Sequence, residues 1–453
     1  MSRSPESLEV HRREIVHNAT AAGLVKGIAA VLGLALNVVI ARLVDIDGAG
    51  LYFVALSIVV VAATLGRLGT DAVVVRLIAG RISDGDAGDI RRVANSALVI
   101  VSLTSGALSA ALMLGSGWLA ENAFAEPRLG PVLAWLAPAI LFTSLAITFA
   151  NALQGLKRVR SAMSIIGVWP SALSAIGAIL LAPRFGVQGV AAATTAAAAL
   201  TALGSTWWWL RVTSDRDEGA ATADGRTLDA GVREILVPSL HLVSATVALQ
   251  LVNWLPIAVL GKLVTVAEAG LFAIVNRTAM LITFALIAVN SIAAPKFAAL
   301  YKQREIRLME SIAREVTLMI TLFAAAPTLI FVLLPRQILS VFGPAFDVGA
   351  PLLIILSIGR FYNVAMGLAG TMLTMTGNEI QSRRNAWVSL GFEVLACLAL
   401  IPIAGPIGAA LALSLTLIVW NVLAAWAVKR SLGIEITFAA AFGGRHDKSG
   451  RSA

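Results

Sequence analysis

Apolar residues in this chain come in long runs, separated by short stretches that carry charges, Pro or Gly. Most runs are about twenty residues long, the length that a helix needs to cross roughly 30 Å of hydrocarbon. The alternating ten-residue pattern of membrane strands is absent. The pattern therefore predicts an all-α polytopic membrane protein with twelve transmembrane helices. The predicted spans are 15–43, 48–72, 92–116, 130–154, 160–182, 187–210, 237–260, 267–290, 312–334, 350–374, 385–402 and 406–428.

Composition agrees with this pattern. Hydrophobic residues make up 58% of the 453 residues and charged residues only 13%, whereas about a quarter of a soluble chain is charged. The first fourteen residues are polar and precede no short apolar core with a cleavage site, so we expect no cleavable signal peptide.

Basic residues are distributed unequally between alternate connections. With the N-terminus inside, the inner segments hold 26 of the 35 Lys and Arg residues. Because short basic loops stay on the cytoplasmic side, we expect both termini in the cytoplasm. The net charge of +9 is thus explained by topology, and we do not expect nucleic-acid binding. The outer loops hold five basic residues: Arg42, Arg128, Arg184, Lys262 and Arg336.

The sequence contains an internal repeat. LVDIDGAGLYFVA begins at Leu43, and its second copy, LVTVAEAGLFAIV, begins at Leu263. GVQGVAAATT from Gly186 is matched by GPIGAALALS from Gly405, at nearly the same offset along the chain. Because this offset spans six helices, both halves enter the membrane in the same direction and form parallel repeats. Two such lobes around a central cavity suit alternating access, which favours a transporter.

The repeat also suggests a domain organisation. We expect two six-helix lobes joined by a polar cytoplasmic linker and followed by a cytoplasmic tail. The segments are 1–210 for the N-terminal lobe, 211–236 for the linker, 237–430 for the C-terminal lobe and 431–453 for the tail.

Several motifs resemble the polysaccharide-exporter, or O-antigen flippase, branch of the multidrug/oligosaccharidyl-lipid/polysaccharide flippase superfamily. Ile40 to Gly80 is similar to the family's first loop and second span, and NALQGLKRVRSAM from Asn151 to its turn between spans four and five. AVNSIAAPKFAALY from Ala288 and the hairpin from Leu400 to Ile434 resemble later segments. The signature positions of the first motif are Ala41, Arg42, Asp45, Gly50, Leu51, Tyr52, Leu68, Gly69 and Arg76.

This resemblance implies a function. It implies a flippase, not an enzyme, that moves a polyprenyl-linked oligosaccharide across the bacterial inner membrane for O-antigen or exopolysaccharide synthesis. It further implies contacts with membrane lipids and partnership with a polysaccharide polymerase and chain-length machinery. The chain departs from the family at Asn253, where many relatives carry an acidic residue.

Charged residues within the spans are the candidate binding residues. A phosphate cargo needs fixed positive charge, which Arg provides as a planar fork of donors. Arg277 and Arg360 lie near mid-span, where a charge costs roughly 2.5–3.5 kcal/mol on insertion scales. They are our principal candidates, and the alternative for them is a buried structural pair with Glu393. Glu393 could itself couple transport to an ion.

The remaining candidates have structural alternatives. Lys26 could reach the interface along its stem, and Arg67 could form a local ion pair with Asp71. The further candidates are Arg76 for a lipid head group, and Asn253 and Asn290 for sugar hydroxyls or for hydrogen bonds between helices.

Two other functions remain open from the residues alone. An ion-coupled multidrug exporter of the same superfamily would need interior carboxylates, of which Glu393 is the clearest. A membrane glycosyltransferase or polymerase would need a larger outer loop than residues 117–129 provide. No HExxH, CxxC or P-loop motif is present, so we expect neither a metal nor a cofactor. The lone Cys397 is expected to be a packing residue.

Overall fold

The computed structural model of the protein describes residues 25–84, 87–214 and 228–434. Within these ranges every regular element is a helix, which confirms the all-α prediction. The helices are α1 (Val25–Leu43), α2 (Ile46–Gly66), α3 (Thr70–Asp84), α4 (Ala87–Trp118), α5 (Leu129–Leu136), α6 (Pro138–Gly155), α7 (Val159–Met163), α8 (Trp169–Ser214), α9 (Leu228–Leu263), α10 (Val266–Ala279), α11 (Phe284–Lys302), α12 (Ile306–Leu333), α13 (Pro335–Ser340), α14 (Ala350–Ala365), α15 (Ala369–Met375) and α16 (Glu379–Leu432).

Ten helical stretches in the described ranges are long and apolar enough to cross a membrane. Two of them, Val159–Ser214 and Glu379–Leu432, contain 56 and 54 residues, more than twice the length of one crossing. Each contains a glycine with non-helical torsion angles: Gly186 at φ 56° and ψ −138°, and Gly405 at φ 52° and ψ −130°. Each stretch therefore holds two spans, so the described chain accounts for the twelve that the sequence predicts.

The chain doubles back at both of these glycines. A Cβ atom on Gly189 would lie 2.5 Å from the carbonyl oxygen of Leu181, whereas eight residues of continuous helix span about 12 Å. Gly408 approaches the carbonyl oxygen of Leu400 in the same way. The two glycine motifs recognised in the sequence thus form two hairpins of equivalent shape.

The other repeated motif builds the same helix start twice. The Asp45 side chain caps α2 by accepting a 2.7 Å hydrogen bond from the backbone N–H three residues later. The Thr265 hydroxyl caps α10 in the same register at 3.2 Å. Tyr52 and Phe272, seven residues beyond these caps, are both fully buried. The repeated motif therefore forms a helix cap and places a buried aromatic side chain in each half.

The chain divides into two compact units, Met1–Gln250 and Leu251–Ala453. The described core of the first unit includes Ile78, Leu153 and Trp209. That of the second unit includes Phe297, Met309 and Met372. Half of the predicted linker 211–236 and most of the predicted tail 431–453 lie outside the described residues, and the described end of the linker belongs to α9. The predicted lobe boundaries stay predictions.

Two predicted spans are interrupted by residues in the left-handed region. Span 48–72 is interrupted after Gly66, where Leu68 and Gly69 have φ of 47° and 75°. Span 350–374 is interrupted near Gly367, which has φ of 75°. A residue in the left-handed region cannot continue a right-handed helix. Hydropathy does not register such a break because the residues around it remain apolar.

Candidate functional site

A buried arginine lies inside the second unit. Arg360 is on α14 with 4% of its surface exposed, and its guanidinium donates a 3.0 Å hydrogen bond to the side-chain oxygen of Asn276 on α10. Its Nε has no hydrogen-bond partner among the described residues. Glu393 on α16 is fully buried and close enough to interact electrostatically with Arg360.

The lone cysteine belongs to the same group of side chains. Cys397 follows Glu393 by four residues on α16, so the two share one face of the helix. Its thiol donates to Glu393 Oε1 over 3.5 Å. We call Arg360, Asn276, Glu393 and Cys397 the buried charge cluster. A positive and a negative group in one interior offset each other, which lowers the cost of removing each from water.

Arg277 lies next to this cluster in sequence but has a different environment. It is half-buried, and its guanidinium lies 5.3 Å from the ring centroid of Trp254 on α9. At this distance a cation is attracted to the negative face of the ring. Arg277 follows the start of α10 by about eleven residues, or about 16 Å. Arg277 thus lies in the last turn of α10, and its position near mid-span stays a prediction.

The first unit contains the ion pair of Arg67 and Asp71 considered from the sequence, but the pair spans the break between α2 and α3 and does not lie on one continuous helix. Arg67 Nε donates to Asp71 Oδ2 over 3.1 Å, and another guanidinium nitrogen donates to the carbonyl oxygen of Ala63. Asp71 Oδ1 accepts a 2.9 Å hydrogen bond from the side-chain amide of Asn151 on α6. Arg67 and Asp71 thus connect the end of α2, the start of α3 and α6.

The other predicted binding residues have varied surroundings. Lys26 on α1 and Asn253 on α9 are half-buried, whereas Arg76 on α3 is exposed. Asn290 on α11 accepts a 2.7 Å hydrogen bond from the hydroxyl of Thr371 on α15. This is one of the interhelical hydrogen bonds considered from the sequence as an alternative to sugar binding.

Sequence reasoning missed the hydrogen-bond partner of Arg360. Asn276 immediately precedes Arg277 in the chain. Neighbouring residues on a helix point to different sides, so adjacency gives no signal that the two belong to related sites.

Sequence reasoning also missed Thr371, the partner of Asn290. The repeat offset of 220 residues leads from Asn151 to Thr371, but from Asp71 to Ser291, one residue after Asn290. The two pairs join corresponding helices in the two halves, but the offset alone does not identify the second pair.

Charge also collects in the connection between α4 and α5. Arg128 forms a bidentate pair with Glu126, with N–O distances of 2.7 and 3.0 Å. The hydrogen bond from Arg128 holds the pKa of the Glu126 carboxyl below its usual value of 4.5, against a smaller opposing effect of burial. Glu126 is therefore ionised at neutral pH. In the described part of the chain, no three His, Cys, Asp or Glu side chains converge as metal ligands would.

Comparisons with known proteins identify relatives of this chain. A family profile described as polysaccharide biosynthesis protein matches residues 15–300, which is more than half of the chain. A search of curated proteins found no match.

Solved structures share its architecture. An inward-facing multidrug resistance MATE family transporter of the MOP superfamily aligns with a TM-score of 0.70 and 16% identity, over 89% of this chain and 94% of its own. The lipid II flippase MurJ, in an inward closed conformation, aligns with a TM-score of 0.70 and 14% identity, over 90% of this chain and 87% of its own. A MOP superfamily transporter from Pyrococcus furiosus, described as having a binding pocket of reverse polarity, aligns with a TM-score of 0.63 and 18% identity, over 92% of this chain and 95% of its own. These similarities show that the chain has the MOP superfamily fold.

Proposed function

The chain belongs to the family of polysaccharide biosynthesis proteins, and we propose that it flips a polyprenyl-(pyro)phosphate-linked oligosaccharide across the bacterial inner membrane by alternating access. It is a multi-pass membrane protein. The proposed cargo carries sugar and phosphate groups that hydrocarbon does not solvate. A protein that moves such a cargo must offer polar contacts and positive charge at membrane depth.

Arg277 is the observation that carries this proposal. Its guanidinium is half-buried and lies 5.3 Å from the ring centroid of Trp254, at a depth that the sequence predicts to be near mid-span. A guanidinium keeps its charge at every physiological pH and can donate two parallel hydrogen bonds to one phosphate. An arginine in this position supports an anionic cargo more than a cationic one.

The buried charge cluster is connected to Arg277 through α10. Asn276 hydrogen-bonds Arg360 while the next residue on α10 is Arg277, so a shift of α10 would act on both cations. Arg360 thus adds positive potential and can bind the phosphate if α10 moves. Glu393 offsets Arg360 in the resting arrangement, and it is our candidate for ion coupling together with Asp71.

The other candidates complete the proposed cargo path. Lys26, Arg67 and Arg76 contribute further positive charge in the first unit, with Arg76 in contact with lipid head groups. Asn253 and Asn290 hydrogen-bond sugar hydroxyls. To do so, Asn290 releases the hydrogen bond that it accepts from Thr371. A polysaccharide polymerase and chain-length machinery are the expected downstream partners.

Glu393 also favours a second candidate function. A fully buried carboxylate in a span is what an ion-coupled exporter of cationic drugs requires. The two functions differ in the charge of their cargo and can therefore be distinguished by transport of an anionic and a cationic probe.

The proposed function is tested in cells whose only copy of the gene carries Arg277→Gln. We expect surface polysaccharide to fall about tenfold or more while the lipid-linked oligosaccharide accumulates, because the phosphate loses a charged contact. The matched control is Arg430→Gln. Arg430 also lies 5.3 Å from a tryptophan ring centroid, that of Trp426, but it lies just beyond the predicted end of the last span, 406–428.

Equal membrane abundance of both variants is required for the comparison. Normal surface polysaccharide in the Arg277→Gln strain would contradict the role of Arg277. Export of ethidium by wild-type protein in liposomes, with no translocation of a polyprenyl-diphosphate-linked disaccharide, would favour the drug exporter.

A further inference from the structure

An open cavity of about 660 Å³ lies within the first unit. It is located where α1 ends, α2 and α5 begin, and the hairpin of α8 turns at Gly186. We call it the Asp47 cavity. Its polar side chains are those of Asp45, Asp47, Arg128 and Gln188, and its apolar ones include Leu51 and Pro131.

Charges of both signs meet in this cavity. Arg128 is close enough to Asp47 and Asp45 to interact with both carboxylates, in addition to its bond with Glu126. Carboxylates exceed cations here, so the local charge is negative. A phosphate group would be repelled, which separates this cavity from the cationic residues proposed to bind the cargo's phosphate.

The internal repeat indicates that Asp47 and Gln188 are not needed to build the scaffold. The second half has the same capped helix start and the same hairpin, yet the residues that correspond to Asp47 and Gln188 are apolar. The first motif sets an offset of 220 residues, at which Asp45 and Asp47 correspond to Thr265 and Ala267. The second sets an offset of 219, at which Gln188 corresponds to Ile407. Arg128 lies between the two motifs, and the two offsets give Val348 and Asp347 as its counterpart.

Asp45 has a structural task that the repeat preserves. It caps its helix, and Thr265 does the same with a hydroxyl. Asp47 and Gln188 have counterparts that cannot form side-chain hydrogen bonds. Their chemistry is therefore specific to the first half and requires a reason other than folding.

We infer that the Asp47 cavity binds a neutral sugar residue of the transported glycan. Carboxylates accept hydrogen bonds from sugar hydroxyls, while the Gln188 amide and the Arg128 guanidinium can donate to ring and hydroxyl oxygens. Leu51 and Pro131 provide apolar contact for the C–H face of the ring. The volume lies within the roughly 300–1,000 Å³ range of small-molecule sites.

The source of the sugar rests on the proposed function. If the termini are cytoplasmic, as the distribution of basic residues predicts, the cavity lies at the outer end of the first unit. A sugar-binding cavity there would hold the head group of the cargo as it emerges from the membrane, after the phosphate has left the cationic residues.

The test uses full-length protein in detergent and saturation-transfer NMR with glucose, galactose, mannose and N-acetylglucosamine as probes. We expect at least one of these sugars to bind wild-type protein. The variant is Asp47→Ala combined with Gln188→Ile, which introduces the residues that the second half already carries on the same scaffold. Its apparent Kd should be about tenfold higher or more, because two hydrogen-bonding side chains are lost.

Glu121→Ala is the matched control, since Glu121 is an exposed carboxylate in the same connection as Arg128 but does not line the cavity. It should bind sugar like wild type. Absence of sugar binding to wild-type protein, or unchanged binding in the double variant, would overturn the inference. Loss of Ca²⁺ binding in the double variant without any sugar signal would also overturn it, by assigning a cation site.

The outcome is separable from that of the proposed function. Arg277→Gln should impair export while leaving binding of these soluble sugars unchanged. Sugar binding that depends on Asp47 and Gln188 would stand even if the protein failed to move a lipid-linked oligosaccharide.

Discussion

The side-chain amide of Asn151 donates a 2.9 Å hydrogen bond to Asp71 and thereby joins α6 to α3. The second half of the chain repeats this link between α15 and α11, where the hydroxyl of Thr371 donates to Asn290 over 2.7 Å. The residue types differ, but a donor and an acceptor join corresponding helices in both halves. We interpret the link as a clasp that holds an interrupted helix against its neighbour.

The clasp should contribute measurably to stability. We expect the Asn151→Ala substitution to cost more unfolding free energy in the wild-type protein than in the Asp71→Ala variant, because the hydrogen bond is present only in the wild type. The coupling free energy should be about 0.6 kcal/mol, the average for hydrogen bonds between membrane helices. Unfolding of the four variants of the double-mutant cycle in detergent measures it.

The second clasp provides a control for the first. A cycle with Thr371→Ala and Asn290→Ala should give a coupling free energy of similar size. Zero coupling in both cycles would contradict a stabilising role for the clasp.

Removing either Arg360 or Glu393 alone should lower the stability of the protein, because each offsets the buried charge of the other. Arg360→Met leaves Glu393 buried without the nearby cation, which we expect to cost about 3–5 kcal/mol of unfolding free energy. Adding Glu393→Gln removes the uncompensated charge and should restore a large part of that loss. Equilibrium unfolding of the two single variants and the double variant checks this, and a double variant as unstable as Arg360→Met would contradict it.

The close approach at the first hairpin should exclude any side chain at Gly189. Its Cβ would lie 2.5 Å from a backbone carbonyl oxygen, so Gly189→Ala must displace the chain. We expect a loss of about 1–3 kcal/mol, the usual cost of overpacking. Gly115→Ala is the control, because a Cβ there meets nothing within 4 Å. Equal melting temperatures for the two variants would show that the hairpin accommodates a Cβ atom at residue 189, contrary to the prediction.

The shape of the Arg277 side chain should matter in addition to its charge. Arg277→Lys keeps the positive charge but loses the planar fork and its stacking on Trp254. We expect export between the levels of wild type and Arg277→Gln, measured as surface polysaccharide at equal protein abundance. Wild-type export by Arg277→Lys would mean that the charge alone suffices.

Features set by neighbouring residues could be predicted from the sequence. Crossing a bilayer requires about twenty apolar residues, so the spans follow from hydropathy. The Arg67–Asp71 ion pair follows from the closeness of the two residues in the chain, although the continuous helix that a spacing of four assumes is interrupted between them. The repeat follows from the shared letters, and the cap and hairpin geometries agree with it.

Features set by distant residues depended on the tertiary structure. Arg360 and Asn276 lie 84 residues apart, and Asp71 and Asn151 lie 80 apart. The spans are apolar on nearly every side, so periodicity does not reveal which face meets which neighbour. That choice is made by the packing of whole helices, and it decides which polar side chains pair. The sequence by itself thus determined the spans, the repeat and the list of buried charges. Only the fold decided that Arg360 is held by Asn276, and that Asp47 and Gln188 line a common cavity.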